Sequence, residues 1–133
     1  MNTFDRYTGI QTVMERCGKD GCNFLCLLSI AEEVNNKPID FIDAYRKSSR
    51  WLTDDFNVKD NLSILSTLTG RGWRRDEVKE IKGQLAPNEY SIAIYYNPRT
   101  GRQHYRRRSF DTLIDSVTVK EGYIQKYYIY SHS

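Results

Sequence analysis

Three observations predict an α+β domain whose helices pack on one face of an antiparallel sheet. Helical periodicity with helix punctuation occupies the N-terminal half, and β-prone runs closed by turn residues occupy the C-terminal half from Tyr90 onward. Between Phe24 and Ala31 the sequence is apolar nearly all round, which demands a buried helix against which the rest can pack. The 133 residues suffice for one domain, 1–133, with a real core and are too few for two ordinary ones.

The first 20 residues are weakly periodic, with breaks at Gly9 and Gly18 and room for a short helix over Ile10 to Arg16. Lys19-Asp20-Gly21 is a turn signal, and Asp20 is placed to cap the apolar helix, whose polar positions are confined to Ser29, Glu32 and Glu33. Asn35-Asn36-Lys37-Pro38 stops it. A second amphipathic helix follows with Ile39, Ile42 and Tyr45 at helical spacing, then a loop around Trp51-Leu52-Thr53-Asp54-Asp55. A third, shorter helix from Asp60 to Leu68 ends at Gly70, and the basic cluster Arg71-Gly72-Trp73-Arg74-Arg75 reads as its terminus.

The β half begins with a strand over Tyr90 to Tyr96, closed by the turn Asn97-Pro98-Arg99-Thr100-Gly101. A second strand carries Gln103 to Arg106. Val117 to Val119 and Tyr123 to Tyr130, joined at Glu121-Gly122, complete the sheet, and His132 falls in a frayed terminus.

Composition bounds the function. With 39% hydrophobic and 13% aromatic residues the chain is expected to fold rather than remain disordered. Twenty basic residues against 17 acidic ones give a net charge of +3, too small to imply general nucleic-acid or membrane affinity. The first residues lack the pattern of a signal peptide, and no run approaches the ~18 apolar residues of a membrane span, so a cytoplasmic chain with no membrane partner is expected. An odd number of cysteines gives no disulfide framework. Cys17, Cys22 and Cys26 are spaced C-x4-C-x3-C, without the C-x-x-C knuckle of a zinc site, and no metal is assigned.

Cys22 is the residue on which chemistry can be built. At the start of a helix, unpaired N–H groups and the positive end of the dipole favour a thiolate. The plainer role for such a cysteine is a small apolar residue entering a core helix. A histidine on a strand in the other half, His104, supplies the partner that a thiolate nucleophile needs, brought to it by the fold. If the chain reverses at Arg107-Arg108 in a two-residue hairpin, Asp111 lies opposite His104. Arg-Arg lacks the glycine or asparagine such turns favour, and a longer loop substitutes Asp115.

These residues resemble papain-like cysteine peptidases of the small bacteriocin-processing type, and the short relatives of that family in spirochaetes and phages. The likeness lies in Gly21-Cys22 with the apolar helix to Glu33, in the strand-turn-strand from Tyr90 to Tyr105 carrying His104, and in Phe110-Asp111 followed by Asp115 to Gly122. It implies a papain-like arrangement of the α+β domain, with Cys22 as nucleophile, His104 as general base and acid, Asp111 holding the imidazole in one tautomer, and no metal or organic cofactor. It also implies an oxyanion donor, usually a glutamine a few residues before the cysteine. Here Cys17 and its neighbours stand there, leaving Gln11 and Asn23 as candidates. Thr112 follows Asp111 where such relatives often carry proline.

Arg102, Tyr105, Arg106, Arg107 and Arg108 form the most basic and aromatic stretch, a surface for a peptide or protein partner and, less readily, for phosphates and stacked bases. The same residues also suit a charged strand edge that discourages aggregation. Two functions are therefore expected: thiol-dependent hydrolysis of a peptide or amide bond, or a catalytically degenerate binding protein, for example a phage or mobile-element inhibitor of a host defence macromolecule.

Overall fold

A computed structural model describes residues 22–54, 56–107 and 121–133. The described chain is α+β, with three α-helices followed by a four-stranded antiparallel sheet. Helix α1 (Cys22–Asn35) carries the cysteine in its first described turn and buries Phe24, Leu25, Cys26, Leu27, Leu28, Ile30 and Ala31, as an unbroken apolar surface requires. Ser29 is buried as well, so the polar stripe expected there is narrower than the sequence suggests. Asn36 ends the helix in the left-handed conformation, φ 54°, with the N–H of Lys37 returning to the Glu32 carbonyl and that of Asn36 to Glu33.

Helix α2 (Phe41–Ser48) starts three residues after the stop at Pro38, capped by the Asp40 carboxylate accepting from the Asp43 N–H at 2.9 Å. Its core face is Phe41, Ala44 and Ser48, not the Ile39, Ile42, Tyr45 face that the spacing predicts; Ile42 and Tyr45 are exposed. The stripe is rotated because the Phe41 ring docks edge-on against Phe24 of α1, centroids 5.9 Å apart. A 3-10 turn (Ser49–Trp51) and a bridge between Leu52 and Val58 replace the expected irregular loop. Helix α3 (Asn61–Thr69) is capped by Asp60 at one end and by Gly70, φ 70°, at the other.

The strands are β1 (Trp73–Val78), β2 (Glu89–Asn97), β3 (Arg102–Arg106) and β4 (Tyr123–His132), in the order β1-β4-β2-β3. Strand β1 corrects the reading of Arg71 to Arg75 as a helix terminus. Four of its six residues are exposed, so it carries no apolar alternation; it pairs only with β4, and Trp73 at its start anchors it by packing on the core and donating to the Thr69 hydroxyl of α3 at 2.8 Å. Strand β4 runs through His132, which pairs with Trp73 and forms a three-ring cluster with Trp73 and Tyr90, so the frayed end expected there is instead the last rung of the ladder. The β2–β3 turn is built as expected: Gly101 takes φ 74° and its N–H closes on the Asn97 carbonyl at 2.8 Å.

The helices lie on the sheet face that carries Tyr90 and Ile92 of β2 and Tyr128 and Tyr130 of β4, where the common core forms. Helix α1 reaches furthest, packing on both α3 and the outer strand β3. No helix among the described residues is long and apolar enough to cross a membrane.

Candidate functional site

The first residue of α1 meets the outer strand of the sheet. Cys22 is 7% exposed, and its sulfur accepts the backbone N–H of Tyr105 at 3.4 Å. On an outer strand alternate N–H groups lack a strand partner, and Cys22 takes one of them. The buried helix fixes the depth of the sulfur and the strand fixes its lateral position.

Beside the sulfur opens a cleft of about 350 Å³ lined by Asn23, Asn57, Val58, Arg102, Gln103 and Tyr105. Asn57 and Val58 are held there by a short loop. The Thr53 and Asn57 backbones bond at 2.9 Å, and Phe56 adopts φ 64° while seating its ring in the core, 5.3 Å from Tyr45. A bulky residue in the left-handed region costs free energy, and the buried ring offsets it.

Asn23 belongs to a polar chain leading away from the cleft. Its Nδ2 donates to Asn61 Oδ1 at 3.3 Å, and Asn61 Nδ2 donates to the Tyr130 hydroxyl. Asn23 Oδ1 is buried with no partner. Exchanging nitrogen and oxygen in both amides preserves the chain, with Tyr130 then donating to Asn61, and makes the unpartnered atom a donor. In either arrangement one polar atom of Asn23 is left over.

The electrostatics separate the two described thiols. Cys26, one turn beyond Cys22, is completely buried; burial pushes its pKa well above the ordinary value, the neighbouring Cys22 adds to this and Arg107 opposes it. Neither Cys22 nor Cys26 is in a disulfide. Burial also pushes the phenols of Tyr105 and Tyr130 up to about 12, so Tyr105 lines the site, and Tyr130 is buried behind it, as neutral groups.

His104 stands one residue before Tyr105. In the β2–β3 register Tyr105 pairs with Ile94 and His104 with Tyr95, so His104 belongs to the sheet face of Tyr95 and Tyr105 to that of the helices. The imidazole is 1% exposed. Asp111, Asp115, Gln11, Arg108, Cys17, Asp20 and the strand expected over Val117 to Val119 lie outside the described residues.

The basic surface divides. Arg102 is exposed on the outer strand and reaches the cleft, while Tyr105 and Arg106 are half-buried. Arg107, expected on the binding surface, is 8% exposed: its guanidinium donates to Ser29 Oγ at 3.5 Å and Glu33 at 3.2 Å and lies over the Tyr90 ring. It is a tether between strand and helix and is not free to grip a ligand.

Two groups near the site escaped sequence reasoning. Asn61 and Arg75 flank a second cleft, about 450 Å³, that adjoins the first through Asn23, Val58 and Tyr105. Neither sits in a motif. The pairing of β1 with β4 brings Arg75 there, and that strand has no alternation to announce it. Comparison with protein-family models, with curated proteins and with solved structures finds no match.

Proposed function

We propose that this chain is a papain-like cysteine-peptidase-type protein that hydrolyses a peptide or amide bond. The observation that carries the reading is the Cys22 sulfur at the start of a buried helix, accepting the N–H of Tyr105 beside an open cleft. A backbone N–H aimed at sulfur and the helix terminus behind it both favour the thiolate over the thiol. Cys22 attacks the carbonyl carbon to form a thioester while the C–N bond breaks. His104 delivers the proton to the leaving amine and then takes one from the water that releases the acid and restores the thiol. Asp111, or Asp115, orients the imidazole, and Asn23, whose leftover atom is an N–H donor in the exchanged amide arrangement, serves as oxyanion donor ahead of Gln11.

A second reading has its own support. His104 pairs with Tyr95 on the sheet face away from Tyr105, which favours a degenerate binding protein, for example a phage or mobile-element inhibitor of a host macromolecule, built on the same frame. The pH dependence of Cys22 alkylation by iodoacetamide separates the two, measured in the native sequence with Cys17→Ser and Cys26→Ser backgrounds and in His104→Ala. An alkylation midpoint well below the ~8.5 of free cysteine, lost on removing His104, supports the enzyme. An unreactive or ordinary Cys22 overturns it in favour of the binder.

A further inference from the structure

Arg75 projects from the strand farthest from Cys22 in the sheet order, yet it lines a cleft continuous with the cysteine's own. The two hollows share Asn23, Val58 and Tyr105, forming one groove that starts at Cys22 and passes the Asn23–Asn61 chain to end at Arg75. The guanidinium is held in place there: its central carbon lies 4.3 Å from the centroid of the Tyr128 ring, with the Tyr130 phenol beside it. Arg75 gives one donor to the Tyr130 phenol, and an arginine stacked on an aromatic with others of its five N–H groups left loses little side-chain freedom when a carboxylate docks on it.

The acidic groups of this groove end have other first partners, although Glu77 also feels the Arg75 charge. Lys59 and Asp60 lie on the opposite wall. The Asp60 carboxylate is committed to α3, accepting the Ser63 N–H at 3.1 Å on one oxygen and the Ser63 hydroxyl at 2.7 Å on the other. Glu77, two residues along β1, is engaged by Lys126 at 2.7 Å. With neutral phenols between, the far end of the groove carries a positive excess.

Resting on the thiol reading above, we infer that Arg75 is a specificity-determining residue that receives a carboxylate of the substrate, so that the groove takes peptides bearing an acidic group a few residues from the bond presented to Cys22. The carboxylate can come from an acidic side chain or from a peptide C-terminus. The chemistry at Arg75 is the same, and the test distinguishes them.

The experiment uses iodoacetyl-peptides of one to three residues as probes, ending in Glu or Gln, each with a free or an amidated C-terminus. Their rates of Cys22 alkylation are compared in the native sequence and in Arg75→Gln. The acidic probes are expected to react faster than their neutral counterparts by about three- to fivefold, the scale of one solvent-exposed ion pair, and Arg75→Gln removes that preference while leaving iodoacetamide rates unchanged. Preference for Glu with an amidated end identifies a side-chain carboxylate, and preference for Gln with a free end identifies a C-terminal one. An acid-to-neutral ratio that is near one, or that survives Arg75→Gln, overturns the inference. The acetylated, iodine-free peptides are titrated in parallel by NMR. If Cys22 is silent to every probe, Arg75-dependent binding of the acidic peptides keeps the groove while the thiol chemistry falls, and its absence overturns both.

Discussion

The Arg107 guanidinium, almost wholly buried, lies 3.2 Å from a Glu33 carboxylate that is 41% exposed, and so ties the chain just beyond β3 to the last turn of α1. The two ends of this ion pair are unequally wet, and the cost of removing each should differ. Deleting the carboxylate strands a buried cation whose Nε already has no partner, whereas deleting the guanidinium lets Glu33 rehydrate. Glu33→Gln should therefore destabilise the fold by about 2 kcal/mol and Arg107→Met by about 1 kcal/mol, the reverse of what burial alone suggests. Urea unfolding of both variants checks the order, and equal losses would contradict it.

The Tyr130 phenol gives the fold an alkaline limit. Its pKa is raised to about 12 from an ordinary value of 10.0, chiefly by burial. A raised folded-state value means that the stability is fully present below the unfolded value and is lost as pH rises from about 10 through 12. Tyr130→Phe removes the hydroxyl that meets Asn61, so it should cost ~1 kcal/mol at pH 8 and escape part of the alkaline loss. Urea midpoints at pH 8, 10 and 11.5 should show the gap between the two proteins closing as pH rises. Tyr105, raised to the same value, remains in both and sets the residual slope.

Asp60 offers the opposite sign at the acidic end. Its carboxylate is held below its ordinary range by the Ser63 hydroxyl and backbone N–H. A depressed acid contributes stability above its unfolded value near 4 and loses it as pH falls through the folded one. Asp60→Ala should cost ~1 kcal/mol at neutral pH through the lost cap, whereas Asp60→Asn should retain most of the cap and flatten the dependence between pH 5 and 3. Thermal unfolding across that range reads both.

Cys26 should behave as a reporter of opening. Completely buried and with its thiol pushed up, it should resist alkylation in the native state and react only when α1 leaves the core. Its labelling rate should rise with urea in step with loss of the fold, while Cys22 labelling depends on the cleft. Native-state labelling of Cys26 at the rate of free cysteine would contradict the buried placement.

Much of this architecture was legible because local rules and packing agree. The span of α1 could be read from Cys22 through Ala31 because an apolar run of that length has no other place to go, and the caps at Asp60 and Gly70 and the turn at Asn97 to Gly101 carry their own chemistry. Residues whose position is settled by distant partners were not legible. Strand β1 is a charged ribbon that exists because β4 pairs with it, and Arg107 is a core residue because Ser29 and Glu33 wait 78 and 74 positions away. At the site, Cys22 and the strand of His104 could be brought together from the order of helices and strands. Which face His104 takes depends on the pairing register with β2, which no composition reveals.

The place of β4 in the sheet bears on how the protein is made. β1 and β2 do not touch each other directly; β4, later in the chain than both, slides between them and supplies the whole of β1's pairing. As the polypeptide leaves the ribosome, the helices and the β2–β3 hairpin can form in order, while β1 waits unpaired until Tyr123 to His132 have emerged. The groove wall that carries Arg75 is therefore completed after the wall that carries Cys22, and a nascent chain has its thiol in place before it has the far end of the groove.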